Sequence, residues 1–325
     1  MTRRSRIIAT GSYLPDRVMT NTDLEKIVET SDEWIQQRSG IKERRIAAEG
    51  QTTSDMAVEA AKKAIEASDI KVGDIDMIVV ATTTPDLTFP SVAVTVQATL
   101  GVPTCPAFDV QAVCSGFVYA LSVADNAIKA GQAKRALVIG AEKMSSILDW
   151  TDRTTCVLFG DGAGAVILEA DDTQQGTIDD TGVLSTHLYA NGHYKDILKT
   201  SGGPSSTKST GFIEMEGKEV FRYAVQFLSD VVVDVLKAHN IKSDQIDWLV
   251  PHQANIRIIM AAAKKLDMPE ERVVLTLEKH GNTSAASIPL ALDEAVRGGK
   301  IKPGDLIMME ALGGGLTWGA ALVRM

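Results

Sequence analysis

The strongest constraint on the fold is a pattern that occurs twice. Residues 72–80 pass from a short polar loop into the unbroken apolar run Met77-Ile78-Val79-Val80, and residues 243–250 repeat this, ending in Trp248-Leu249-Val250. An apolar run without polar alternation is the signature of a strand covered on both faces, as inside layered α/β proteins. Each run follows a segment of helical spacing, residues 57–65 in one case and 228–237 in the other. Ile75 and Ile246 lie 171 positions apart, and near that offset the apolar run at 136–140 meets the one at 306–310. Two stretches sharing a helix, strand, helix, strand order predict an internally duplicated α/β protein, each half a sheet covered by helices. Chance likeness of ordinary α/β units is the competing explanation. The join is expected in the polar stretch 170–176, giving halves 1–172 and 173–325, and the polar loop 199–206 reads as a surface excursion.

Composition narrows the partners. With 33 basic against 42 acidic residues the formal charge is -9, which leaves no broad basic surface for nucleic acid. Cys105, Cys114 and Cys156 have no paired spacing and no clustered histidines, so neither a disulfide framework nor a metal site is expected, and free thiols suit a reducing cytoplasm. The basic start is followed only by Ile7-Ile8-Ala9 before Gly11, too short an apolar core for an export signal. Residues 306–323 are mostly apolar, but Glu310 and Gly313-Gly314-Gly315 interrupt them, predicting two buried strands around a glycine turn and no membrane span.

Cys114 follows an extended run and precedes the helical spacing of Phe117, Ala120, Leu121 and Ala124. A thiol at a helix start is expected to have a lowered pKa, because free N–H groups and the helix dipole favour the thiolate. A lone buried Cys is more often a small hydrophobe, the reading given to Cys105 and Cys156. Company elsewhere reverses this for Cys114. His252 directly follows the second buried strand, at the strand end where open α/β sheets bind ligands. Asn282 lies in a polar turn near the counterpart of the Cys114 turn. Each alone reads as structural. Together they form a set able to make a thioester on Cys114 and to donate hydrogen bonds, from His252 and Asn282, to an enolate formed by decarboxylation. Gly314 is a candidate to join the N–H of Cys114 in an oxyanion hole; a tight strand-to-strand turn explains the same glycines.

The stretches Ala112-Val113-Cys114-Ser115-Gly116, His252-Gln253-Ala254-Asn255, Gly281-Asn282-Thr283-Ser284 and Gly313-Gly314-Gly315-Leu316-Thr317-Trp318-Gly319 closely resemble the β-ketoacyl-acyl-carrier-protein synthase III family, from about Ile7 to the end of the chain. The resemblance implies the thiolase fold, five layers in α-β-α-β-α order, and a homodimer. It implies acetyl transfer from acetyl-CoA to Cys114, then decarboxylative condensation with a malonyl unit on acyl carrier protein, with no cofactor beyond these substrates. By the same resemblance Trp34 and Arg153 would stack the adenine of coenzyme A, with Arg38 a further coenzyme contact and Gly217 and Phe221 bordering its tunnel. Arg257, Lys264 and Lys265 would dock the acidic carrier protein, although a charged stripe is usually a solvated helix face. Phe89 would reach in from a partner subunit to limit acyl length. Leu312 stands where family members often carry Phe, which bears on pocket shape. Independently, Thr30 with Glu33 three positions on reads as a capping box opening a helix that Gly40 closes, with Trp34 and Arg38 on one face.

Three alternatives compete. A thiolase needs a second Cys near the C-terminal glycines, and none follows Cys156. A starter-unit synthase of a polyketide or quinolone-type pathway shares the same three residues. A non-catalytic binding protein of this fold would not need them.

Overall fold

The computed structural model describes residues 1–325. Its first sheet runs in the order Thr2–Tyr13, Asp161–Gln174, Arg135–Lys143, Met77–Ala81, Ala107–Val110. The second runs Gly182–Ala190, Thr317–Arg324, Leu306–Gly313, Trp248–Pro251. In each, the first two pairings are antiparallel and the next is parallel. A parallel bridge from Leu249 to Val273 stands where the second sheet would hold a fifth strand.

The offset of 171 recurs in the ladders, where Met77 faces Ala136 and Trp248 faces Ile307. It recurs in the helix starts, Gly116–Lys129 against Ser287–Arg297. It also recurs in backbone strain: Val113 and Ser284 take φ of 49° and 50°, a left-handed conformation costly for a β-branched valine. Strand Asp161–Gln174 pairs with the N-terminal strand as far as Gln174, inside the polar stretch 170–176.

Alternation within the strands builds the layers. Val79 and Met77 face inward with Phe117, Leu121, Ile288 and Leu292 of the two central helices, which the second sheet covers through Ile307 and Met309. Ile78 and Val80 face outward against Met56 and Val96 of helices Thr53–Glu66 and Val92–Leu100. On the far side, Leu306 and Met308 pack against Val231, Val235 and Ile259 of helices Gly217–His239 and Ile256–Lys265. Helix, sheet, helix, sheet, helix is the expected five-layer order, and it explains why the strands lack polar alternation. The glycine run closes the hairpin between Leu306–Gly313 and Thr317–Arg324. No helix is long and apolar enough to cross a membrane.

Candidate active site

Cys114 lies in the tight turn Val113–Ser115 that leads into helix Gly116–Lys129. The turn is braced from within and from the second half. The hydroxyls of Ser115 and Thr317 donate to the Ala112 carbonyl at 2.7 and 2.9 Å. Gly313 passes so close that a Cβ there would come within 2.6 Å of the Cys114 nitrogen and 2.9 Å of the Ala112 oxygen. Only glycine lets the hairpin reach the turn.

His252 is carried just beyond strand Trp248–Pro251, its N–H donating to the Glu310 carbonyl at 2.8 Å. The neighbouring Gln253 braces the loop, its side chain donating to the Pro251 and Val274 carbonyls and accepting the N–H groups of Thr276 and Leu277. Asn282 is locked through its backbone, donating to the Leu158 carbonyl at 2.8 Å and accepting from the Gly160 N–H at 3.0 Å. Asn282 Oδ1 accepts the Ser284 N–H at 2.8 Å, which leaves the Nδ2 hydrogens for whatever enters the cleft. Cys114, His252 and Asn282, all buried, line one cleft of about 590 Å³.

Burial sets the charge state here. The Cys114 thiol is pushed up to about 12 by desolvation, helped by the nearby Glu142 carboxyl and only partly offset by Ser284. Burial thus opposes the lowering expected from the helix start. His252 is pushed down to about 3 by the same burial, so the imidazole is neutral. Glu142, also raised by burial, is held by the hydroxyls of Thr82, Thr83, Thr84 and Ser284.

The mouth of the cleft gathers most of the other expected residues. Trp34, Arg38, Gly217, Phe221, Arg257 and Leu312 all line it. The Arg38 and Arg153 guanidinium carbons lie 4.7 and 5.1 Å from the Trp34 ring centroid, and Arg153 also donates to the Glu29 carbonyl at 3.0 Å. A base cannot fit between Trp34 and an arginine already in contact with it, so a stacked adenine requires Arg153 to lift. The helix Asp32–Ser39 is capped by Ser31, whose hydroxyl accepts the Trp34 N–H at 3.1 Å, and not by Thr30, whose hydroxyl has no partner; Gly40 closes it as expected. Arg257 lies 5.5 Å from the Phe221 ring. Lys264 and Lys265 are exposed on helix Ile256–Lys265 but outside the cleft lining, as is Phe89, 81% exposed on the surface; Gly314 adjoins the Cys114 turn, a Cβ there lying 3.5 Å from the Val113 side chain and 2.8 Å from the Leu198 carbonyl oxygen.

Sequence reading missed Glu142, Ser284 and Ser287. The last contacts His252 Nδ1 at 2.6 Å. The offset of 171 would have flagged Ser284 and Ser287 as counterparts of Val113 and Gly116; nothing local marks Glu142.

Fold and cleft together define a condensing acyltransferase. A family model described as 3-oxoacyl-[acyl-carrier-protein (ACP)] synthase III matches residues 108–192, and its C-terminal counterpart matches 236–325. The beta-ketoacyl-[acyl-carrier-protein] synthase III of Paramagnetospirillum magneticum is 61% identical over 322 residues, covering 99% of each chain. That of a Bradyrhizobium species is 59% identical over 324 residues, covering 100% of each. The crystal structure of 3-oxoacyl-[acyl-carrier-protein] synthase III from Aquifex aeolicus superposes with a TM-score of 0.93 at 50% identity, over 99% of this chain and 100% of its own. A priming beta-ketosynthase from the R1128 polyketide pathway superposes with 0.92 at 34% identity, over 99% and 97%. The chain belongs to the beta-ketoacyl-[acyl-carrier-protein] synthase III family of fatty acid biosynthesis.

Proposed function

We propose that the chain starts acyl chains by moving acetyl from acetyl-CoA to Cys114 and condensing it with malonyl-acyl carrier protein. The single observation that carries this is the convergence of Cys114, His252 and Asn282 in one buried cleft. In the first half-reaction the Cys114 sulfur forms a bond to the acetyl carbonyl carbon, the coenzyme C–S bond breaks, and the thiol proton ends on the departing coenzyme thiolate. In the second, malonyl loses carbon dioxide, and the enolate oxygen is held by hydrogen bonds donated by His252 and by Asn282 Nδ2. The enolate carbon attacks the acetyl carbonyl, the Cys114 C–S bond breaks, the Cys114 thiolate takes a proton from water to restore the thiol, and acetoacetyl-carrier protein leaves. Charge on the tetrahedral oxygen is met by the N–H groups of Cys114 and Gly314. No cofactor is required.

Trp34, Arg38 and Arg153 bind the adenine end, while Gly217 and Phe221 border the pantetheine path. Exposed Arg257, Lys264 and Lys265 receive the carrier protein, their charge steering an acidic partner on a molecule of net charge -9. A homodimer would cover Leu87 and Phe89, 59% and 81% exposed, and bring Phe89 to the acyl pocket of the opposite subunit. The reaction belongs in the cytoplasm.

A second reading, a starter-unit synthase taking another acyl group, draws on two observations: the 34% identity to the priming beta-ketosynthase, and Leu312 in the cleft lining. Turnover of malonyl-carrier protein with a panel of acyl-CoAs separates the two. Acetyl-CoA preferred by tenfold or more supports the initiator; preference for a longer or branched acyl-CoA supports the starter-unit reading.

A further inference from the structure

His252 can donate into the cleft only if its cleft-facing nitrogen carries the ring proton. The other nitrogen, Nδ1, lies 2.6 Å from Ser287 Oγ, and Ser287 is 2% exposed. Ser287 Oγ has one further polar neighbour, the Gln253 N–H, which donates to it at 3.3 Å. A hydroxyl has one proton and two lone pairs. If Nδ1–H donated to Ser287, the serine proton would be buried with no acceptor, a state costing about 1–3 kcal/mol. The serine O–H therefore donates to Nδ1, and a neutral ring places its proton on Nε2.

The duplication supplies an independent argument. At the offset of 171, Ala81 takes the place of His252 and Gly116 that of Ser287, and Gly116 starts its helix without a side chain. Helix initiation at this point of the fold does not need a hydroxyl. It is found only in the half that carries the imidazole.

We propose that Ser287 is a positioning residue that holds His252 as the Nε2–H tautomer, so that the ring meets the malonyl thioester as a hydrogen-bond donor and is not the base for Cys114. This rests on the function proposed above and deepens it by separating the two half-reactions: Ser287 serves decarboxylation and leaves acyl transfer alone.

The test uses the full-length protein and the variants Ser287→Ala and Ser287→Gly, the second reproducing what the first half tolerates at Gly116. Nitrogen-15 shifts of His252 report the tautomer, mass spectrometry the rate of Cys114 acetylation, and carbon dioxide release the decarboxylation of malonyl-carrier protein. The expected result is Nε2–H in the wild type, its loss in both variants, decarboxylation slowed roughly 10- to 100-fold, on the scale seen when the hydrogen-bond partner that orients a metal-bound imidazole is removed, and acetylation within about twofold. Three results would overturn the proposal: Nδ1–H in the wild type, unchanged decarboxylation in the variants, or equal loss of both half-reactions in a folded variant. Because the tautomer is read without turnover, a wild type unable to decarboxylate would sink the proposed function while the nitrogen shifts still decided the role of Ser287.

Discussion

Cys114 and His252 share one cleft with opposite shifts, the thiol raised to about 12 and the imidazole lowered to about 3, so neither carries charge at neutral pH. Desolvation leaves the thiolate of Cys114 scarce at neutral pH. Acetylation of Cys114 should therefore rise with pH across the neutral range, measured as the initial rate of adduct formation; a plateau from pH 6 upward would mean the thiolate is stabilised after all. His252→Ala should keep that acetylation and lower decarboxylation by about 10²–10³-fold, the usual effect of removing one donor to an oxyanion. Loss of acetylation alone would show that its role is the reverse.

Glu310 makes a stability prediction with the opposite sign to His252. Neither carboxyl oxygen has a partner, and burial raises it to about 8 from an ordinary 4.5. Between those values the folded chain keeps a proton that the unfolded chain has released, so stability is full below pH 4.5 and falls as pH rises through 8. His252, lowered from 6.5, instead withdraws stability as pH falls from 6.5 toward 3. Glu310→Gln should gain on the wild type in thermal midpoint as pH rises from 5 to 8.5. A difference independent of pH would contradict the buried neutral acid.

Among the elements, strands Met77–Ala81 and Trp248–Pro251 were legible because helices cover both their faces, which leaves an uninterrupted apolar run in the sequence. Helix Asp32–Ser39 was legible at its glycine end but not at its start, where Thr30 and Ser31 offer the same hydroxyl and only backbone direction selects Ser31. For Cys114 the helix start is visible in sequence, whereas the opposing desolvation by distant segments is not. Arg153, placed by resemblance beside adenine, already covers Trp34. Replacing Arg153 by Ala should raise KM for acetyl-CoA about 5- to 30-fold with little change in kcat, the scale of a cation–π contact of about 1–2 kcal/mol. An unchanged KM would remove Arg153 from coenzyme binding.

For the whole molecule, the duplication explains both what the sequence discloses and what it hides. The constant offset of 171 survives in strands, turns and helix starts, whereas the fifth strand of the second sheet has shrunk to the Leu249–Val273 bridge and leaves no run to recognise. The nucleophile comes from one half and both donors from the other, so their meeting depends on how the sheets stack, which no local pattern encodes. Glu142 is silent for the same reason, its partners being Thr82 to Thr84 and Ser284. Sedimentation should show a dimer that Phe89→Asp weakens; a wild-type monomer at micromolar concentration would contradict the assembly proposed.

The most direct test of the account is the mass of the intact protein after incubation with acetyl-CoA, followed by a chase with malonyl-carrier protein. An acetyl adduct that maps to Cys114, is absent in Cys114→Ser, and is discharged as acetoacetyl-carrier protein is the result predicted. An adduct elsewhere, or one on Cys114 that the chase does not discharge, would contradict it.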